Sequence, residues 1–498
     1  MADTSFRRPR FSGRGPALFF GLLGGLLVLA IGFALWGVII YPATPTATPM
    51  PIVGTLTAIA EAAASLPPVT SLPSLPTSTP PPETTAAASQ PTATPSPAAG
   101  QPTATDVPAT ATPTAVIPAN PTVTPAGVSL TATPPPPTAT PLPPTLTPQP
   151  QNLNTFAYGL QAHMIGVGHD DTVKAVNALG FDWLKQQIEW KMFEKAKGQY
   201  DWAEIDRMVD TCDRNGIHLL VSVVKAPDWA RGASLDASVE GPPQNLQDYA
   251  DFVGAMAARY KGRIQAYEIW NEQNLHYEWG NEQIDAARYV QLLKLAYQAI
   301  KAADPQALVI SGALTPAGSV PGPDGRWLAI EDATYLRQMY EAGLKNYCDG
   351  VGVHPSGYNI PPDVDWQTYQ DPGATFRGLW DTPHYSWSFR GVLETYRQIM
   401  VQNGDAGKLL WVTEFGWAVS SEPPANRQYA ADNTLEEQRD WTVKAFQMGK
   451  SWGWVGPMFL WNLNFRQIVP WSEQAMWSII EQDGAPLPVY VALQNMAK

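Results

Sequence analysis

Cysteine is nearly missing: Cys212 and Cys348 are the only two in 498 residues. An exported domain that relied on cross-links would carry more, so both are read as buried, unpaired thiols. Histidine is scarce too. His163, His169, His218, His276, His354 and His384 are scattered among strand and loop patterns, and no His or Cys pair falls at metal-ligand spacing. No metal or cofactor is expected. Basic residues are outnumbered 32 to 45, and the net charge of -13 argues against nucleic acid or anionic lipid as a partner.

Two further absences divide the chain. Residues 17–41, "ALFFGLLGGLLVLAIGFALWGVIIY", contain no charge and follow Arg7, Arg8, Arg10 and Arg14, opposed only by Asp3. About 20 apolar residues cross a bilayer, whereas the apolar part of a cleaved signal runs to roughly 15. A transmembrane signal-anchor is therefore expected, with 1–16 in the cytoplasm and the remainder exported; a long cleaved signal is the alternative. Residues 42–150 lack any aromatic and hold 29 of the 49 prolines, with only Glu61, Glu83 and Asp106 charged. Such a tract, continuing to residue 152, buries no core and is expected to be a disordered linker, spanning at most ~340 Å at about 3.1 Å per residue. Its Thr and Ser residues are candidates for glycosylation. Charges in the first 150 residues cancel, so the acidic balance belongs to the last 346.

Residues 153–498 alternate β-rich runs with amphipathic helical runs. Candidate strands span 156–164, 182–189, 217–224, 265–271, 307–313, 349–354, 408–414 and 457–463, each followed by a helical pattern. Tyr249, Phe252, Val253 and Met256 share one face of a helix over 245–260 that begins at an Asn cap, and 281–304 reads likewise. Eight strand–helix units predict an α/β fold of the (β/α)8 (TIM) barrel type, whose functional groups gather at the C-terminal strand ends. Those ends carry His163, Gln187, Lys225, Asn271, Glu272, His354, Glu414, Trp461 and Asn462.

The fourth strand closes with "YEIWNEQN". Period-two alternation would put Glu268, Trp270 and Glu272 on one side, with only Glu272 at the mouth. Glu268, one repeat deeper, must find a partner, because an isolated buried charge costs several kcal/mol.

"WNEQN" and "VTEFGW" (412–417) resemble the acid/base and nucleophile motifs of glycoside hydrolase clan A, in the manner of its family 39 and family 5 barrels. "KQQIEWKMFEKAKGQYDW" (185–202), "APDWA" (226–230), "GVHPSGY" (352–358) and "DGAPLPVYVAL" (483–493) extend the likeness over the whole barrel. The resemblance implies a retaining β-glycosidase acting on an oligosaccharide or polysaccharide, from a monomeric catalytic domain. Glu272 would be the general acid and base, its proton favoured by burial beside Trp270 and by the charge of Glu414. Glu414 would be the nucleophile, with Lys185 and Tyr358 as candidate donors. Clan members often carry an arginine where this chain has Lys185, and an ammonium does not reproduce the guanidinium fork.

By the same resemblance Asn271 would hydrogen-bond the sugar 2-hydroxyl and Trp461, in "FLWNLN", would floor the sugar. His354, His163 and the tryptophan beside Asp228, Trp229, would line the site. The aromatic loop 355–385 reads either as a wall of a sugar groove or as a satellite hydrophobic cluster. A non-catalytic carbohydrate-binding or adhesion protein on the same scaffold is the competing function.

Overall fold

The computed structural model describes residues 153–232, 236 and 238–498, so the expected anchor and linker lie outside the described residues. Among the described residues, no helix is long and apolar enough to cross a membrane.

Eight parallel strands close a barrel: β1 (Tyr158–Gln161), β2 (Trp183–Glu189), β3 (His218–Val224), β4 (Ala266–Ile269), β5 (Leu308–Leu314), β6 (Gly350–Val353), β7 (Leu409–Phe415) and β8 (Val455–Trp461). Each pairs with its sequence neighbours, and β1 pairs with β8 to complete the ring. The principal helices are α1 (His169–Ala178), α2 (Ala203–Arg214), α3 (Leu246–Arg259), α4 (Ala286–Ala303), α5 (Asp332–Glu341), α6 (Phe389–Gln402), α7 (Leu435–Trp452) and α8 (Pro488–Asn495). One follows each strand, as the alternating pattern predicts.

Helix starts follow local chemistry. The Asn245 side chain accepts the Gln247 amide at the head of α3, and Tyr249, Phe252, Val253 and Met256 are buried. Helix α4 begins at Ala286 rather than near 281, because Asp285 caps it by accepting the Ala287 and Arg288 amides. Both cysteines are free and buried.

The barrel interior is layered. Trp183, Leu220, Ala266, Ile310, Trp411 and Phe459 form an apolar plug, with Trp183 and Trp411 edge to face at 5.4 Å. Two residues further along their strands, alternation replaces that plug with Lys185, Ser222, Glu268, Gly312, Thr413 and Trp461. The change from an apolar to a polar layer marks the functional end of the barrel.

Two departures from regular pairing shape that end. Along β7, Val412 pairs with Met458 and Phe415 with Leu460, so three steps on β7 match two on β8. Such a bulge re-aims side chains. Here it lets both Thr413 and Glu414 reach polar partners, while Val412 and Phe415 pack into the outer core. On β5, Gly312 is required by close approach: a Cβ there would stand 2.5 Å from the Ile269 carbonyl oxygen.

Strand β4 corrects one expectation. Regular pairing stops at Ile269, and Trp270 (φ 71°) and Glu272 (φ 46°) both adopt left-handed backbone. Trp270 therefore turns outward against Tyr249 and Trp279, at 5.9 Å from each ring. Glu268, Trp270 and Glu272 do not share one side, and Trp270 is not the neighbour of Glu272.

Candidate active site

The site is built on buried Lys185. Its ammonium lies 3.0 Å from Glu268 Oε2 and 3.0 Å from Glu414 Oε1, with the Lys185 and Glu268 side chains fully enclosed. Burial alone would depress this lysine, but the charges of Glu268 and Glu414 outweigh it and hold the ammonium above its ordinary range. Glu268 also accepts from the Thr413 hydroxyl at 2.7 Å and the Ala313 amide at 3.3 Å. The deeper glutamate thus has the partners its depth demands.

Glu272 sits past the strand end, its amide donating to Ala313 O at 2.8 Å. His354, closing β6, places Nδ1 3.0 Å from Glu272 Oε1 and 3.9 Å from Glu414 Oε2. These two oxygens are therefore no more than about 7 Å apart, compatible with the roughly 5 to 5.5 Å spacing of a retaining carboxylate pair. Burial would drive His354 down, but the charge of Glu414 and the hydrogen bond to Glu272 prevail and raise it. When all are ionised, three carboxylates face two cations, leaving a net negative centre suited to developing positive charge.

The other sequence-predicted residues distribute as follows. Asn271 is buried beside Glu272 with its Oδ1 unpartnered among the described residues. Trp461 closes β8, its ring tilted against Trp477 at 5.0 Å and Phe465 at 6.0 Å, and its peptide to Asn462 is cis. His163 lies past β1, its backbone tied to Asn464 at 2.9 Å in both directions; burial pushes its imidazole down to about 4. Tyr358 makes no described contact with Glu414. It joins Trp387 and Tyr429 at 4.8 and 5.0 Å, and Phe376 joins the same rings. Part of the loop after β6 is thus a satellite aromatic cluster. Trp229 packs edge-on against Trp190 at 5.7 Å and donates to Glu194 O at 2.9 Å, in the aromatic layer behind β2 and β3.

Two residues were missed. Gln161, with its amide oriented to satisfy its neighbours, donates to Glu414 Oε1 at 2.9 Å and accepts from the Trp461 indole at 3.3 Å. It ends β1 and shares the register of Trp461 and Lys185, a pairing that only the closed ring of strands reveals. Glu278, in the loop after β4, is the second. Burial, then the charge of Glu272, pushes its carboxyl up to about 8. Lys225 lies on the same side, bonded to Glu189 Oε1 at 2.7 Å.

Comparison with known proteins agrees with this geometry. The family model Cellulase (glycosyl hydrolase family 5) matches residues 146–369. An Arabidopsis thaliana protein named endo-1,4-beta-xylanase 5-like is 23% identical over 118 residues, which are 22% of this chain and 20% of that protein. A family 39 glycoside hydrolase from Bacteroides cellulosilyticus superposes with a TM-score of 0.53 at 20% identity, over 68% of this chain and 63% of that one. The chain thus spans less than two thirds of either protein. Residues 153–498 thus form a closed (β/α)8 barrel that is similar to glycoside hydrolases, to the family 5 model over residues 146–369 and to a family 39 enzyme in its fold.

Proposed function

We propose that this protein is a retaining β-glycosidase that cleaves β-linked sugars, with Glu272 as general acid and then base and Glu414 as nucleophile. The observation that carries the reading is His354 Nδ1 lying between the two carboxylates, 3.0 Å from one and 3.9 Å from the other. In the first step Glu272 gives its proton to the leaving oxygen while Glu414 forms the bond to the anomeric carbon. In the second, Glu272 takes a proton from water, which displaces Glu414 and restores the β configuration. Lys185 and Gln161, both on Glu414 Oε1, aim the nucleophile. Asn271 Oδ1 accepts from the sugar 2-hydroxyl, and Trp461 offers an apolar face to the ring.

The anchored, outward-facing arrangement belongs to the same proposal: the charge-free run 17–41 after four arginines supports it, and the proline-rich tract would carry the barrel clear of the bilayer. Its substrate would be an oligosaccharide or polysaccharide outside the cell.

Proton NMR of the first product from aryl β-xyloside, β-glucoside and β-mannoside tests the mechanism. Initial release of the β anomer is expected. Glu272→Gln and Glu414→Gln should each lower kcat by at least about 10³. Initial release of the α anomer, or full turnover in either variant, would overturn the assignment.

A further inference from the structure

A cavity of about 50 Å³ opens at the mouth of the barrel on the side of β1, β2 and the loop after β8. Gln161 belongs both to its lining and to the Glu414 contact. Its walls are Ile165, Met192, Phe193, Phe465, Ile468 and Val469. Two of its polar groups are already engaged. Gln186 Oε1 accepts from the Met164 amide and its Nε2 donates to Gln187 O, both at 2.7 Å, while Glu189 holds Lys225. Ser472, 5% exposed, contributes a fully enclosed hydroxyl that has no partner among the described residues. Trp471, 65% exposed, stands next to it in the same turn.

Most of the lining surface is apolar, so a pyranose hydroxyl facing it would leave water without a hydrogen-bond partner. A hydroxyl capped by a short acyl group fits well: its methyl meets the apolar wall and its carbonyl can accept from Ser472 Oγ. Position in the ring of strands fixes which part of the substrate is involved. Glu272 protonates the leaving group from the end of β4, across the barrel from β1 and β8. The cavity therefore lies on the side of the sugar that becomes attached to Glu414, not of the departing one.

We propose that this cavity is a subsite for an O-acylated sugar on the non-reducing side of the scissile bond, with Ser472 donating to the acyl carbonyl. The proposal rests on the glycosidase reading above and names the substrate class of that site.

The test compares kcat/KM of the full chain on O-acetylated xylo- and gluco-manno-oligosaccharides with the same preparations after alkaline deacetylation. A preference of roughly fourfold or more for the acetylated form is expected, the worth of one methyl taken out of water. Ser472→Ala should shrink that ratio severalfold, and Ile468→Asp should reverse it. Equal or slower cleavage of the acetylated form by the wild type, or an unchanged ratio in both variants, would overturn the subsite and leave the glycosidase standing. Absence of turnover on all four preparations and on aryl glycosides would overturn both.

Discussion

At the scale of single residues, the centre is a chain of charges in which depth assigns roles. Glu268 and Lys185 are both fully enclosed, so removing one partner leaves the other charge uncompensated. Glu268→Gln should destabilise the protein by about 3 kcal/mol, read as a lower Tm, while its kcat falls far less than in Glu414→Gln. The reverse ranking would make Glu268 a reacting group. Gln161 bonds directly to Glu414, the proposed nucleophile. Gln161→Leu removes a donor from a carboxylate, a loss of about 1.5 to 3 kcal/mol, so kcat/KM should drop roughly ten- to hundredfold while the purified variant stays folded by circular dichroism. Of these residues, Glu272 and Glu268 could be told apart in the sequence, because strand length and burial cost already separate a mouth carboxylate from a deep one, whereas Lys185 is singled out by the resemblance to clan A. Gln161 could not: in "FAYGLQAHM" it looks like any polar residue on a strand. Its importance comes from lying between Lys185 and Trp461 in the closed ring.

At the scale of elements, strands and helices were legible because hydrophobic periodicity and caps are local, while bulges and turns that aim side chains depend on pairing partners. Nothing in "LWVTEF" announces that Thr413 and Glu414 both find polar partners; the offset between β7 and β8 does that. Likewise "EIWNE" reads as continuing strand, yet the chain leaves regular pairing at Ile269 and swings Trp270 into the helix layer. The loop beyond Glu272 is then pinned to the segment after β5. Asn274 Nδ2 donates to Thr315 O at 3.0 Å and Ile330 O at 3.1 Å, and its Oδ1 accepts from the Thr315 amide at 3.2 Å. Asn274→Ala strands those buried backbone groups at a cost of about 1 to 3 kcal/mol each. Tm should fall, and kcat with it, because the same turn positions Glu272. An unaltered kcat in a destabilised variant would show that the turn does not position the acid.

Helix α5 carries a pH-sensitive contact of its own. Asp332 at its start is buried and accepts from the Tyr385 hydroxyl at 3.0 Å, tying the loop after β6 to this helix. Burial pushes its carboxyl up to about 7 from an ordinary 3.8. A raised folded-state value means the native protein holds the proton more tightly than the unfolded chain. Its stabilising contribution is thus complete below about pH 3.8 and is lost as pH rises through 7. Asp332→Asn keeps an acceptor for Tyr385 but cannot ionise. Calorimetry from pH 5 to 8 should find a flatter Tm profile in that variant than in the wild type; parallel profiles would place the alkaline loss elsewhere.

At the scale of the whole molecule, composition alone separates three regions that can be tested independently. The barrel holds all of the net negative charge, and a proline-rich tract without aromatics separates it from the apolar, charge-free run 17–41. If residues 17–41 anchor the chain uncleaved and the tract is a solvated spacer, then deleting 1–41 should move the protein from the membrane fraction to the soluble fraction while kcat on an aryl glycoside stays within about twofold, because the reacting groups lie entirely within the barrel. Protease added to intact cells should then release an active, barrel-sized fragment, since the spacer offers extended backbone and the closed sheet does not. Protection of the full-length chain in intact cells, together with cleavage after lysis, would place the barrel inside. Recovery of the undeleted chain in the soluble fraction, lacking its first residues by mass spectrometry, would establish a cleaved signal in place of the anchor.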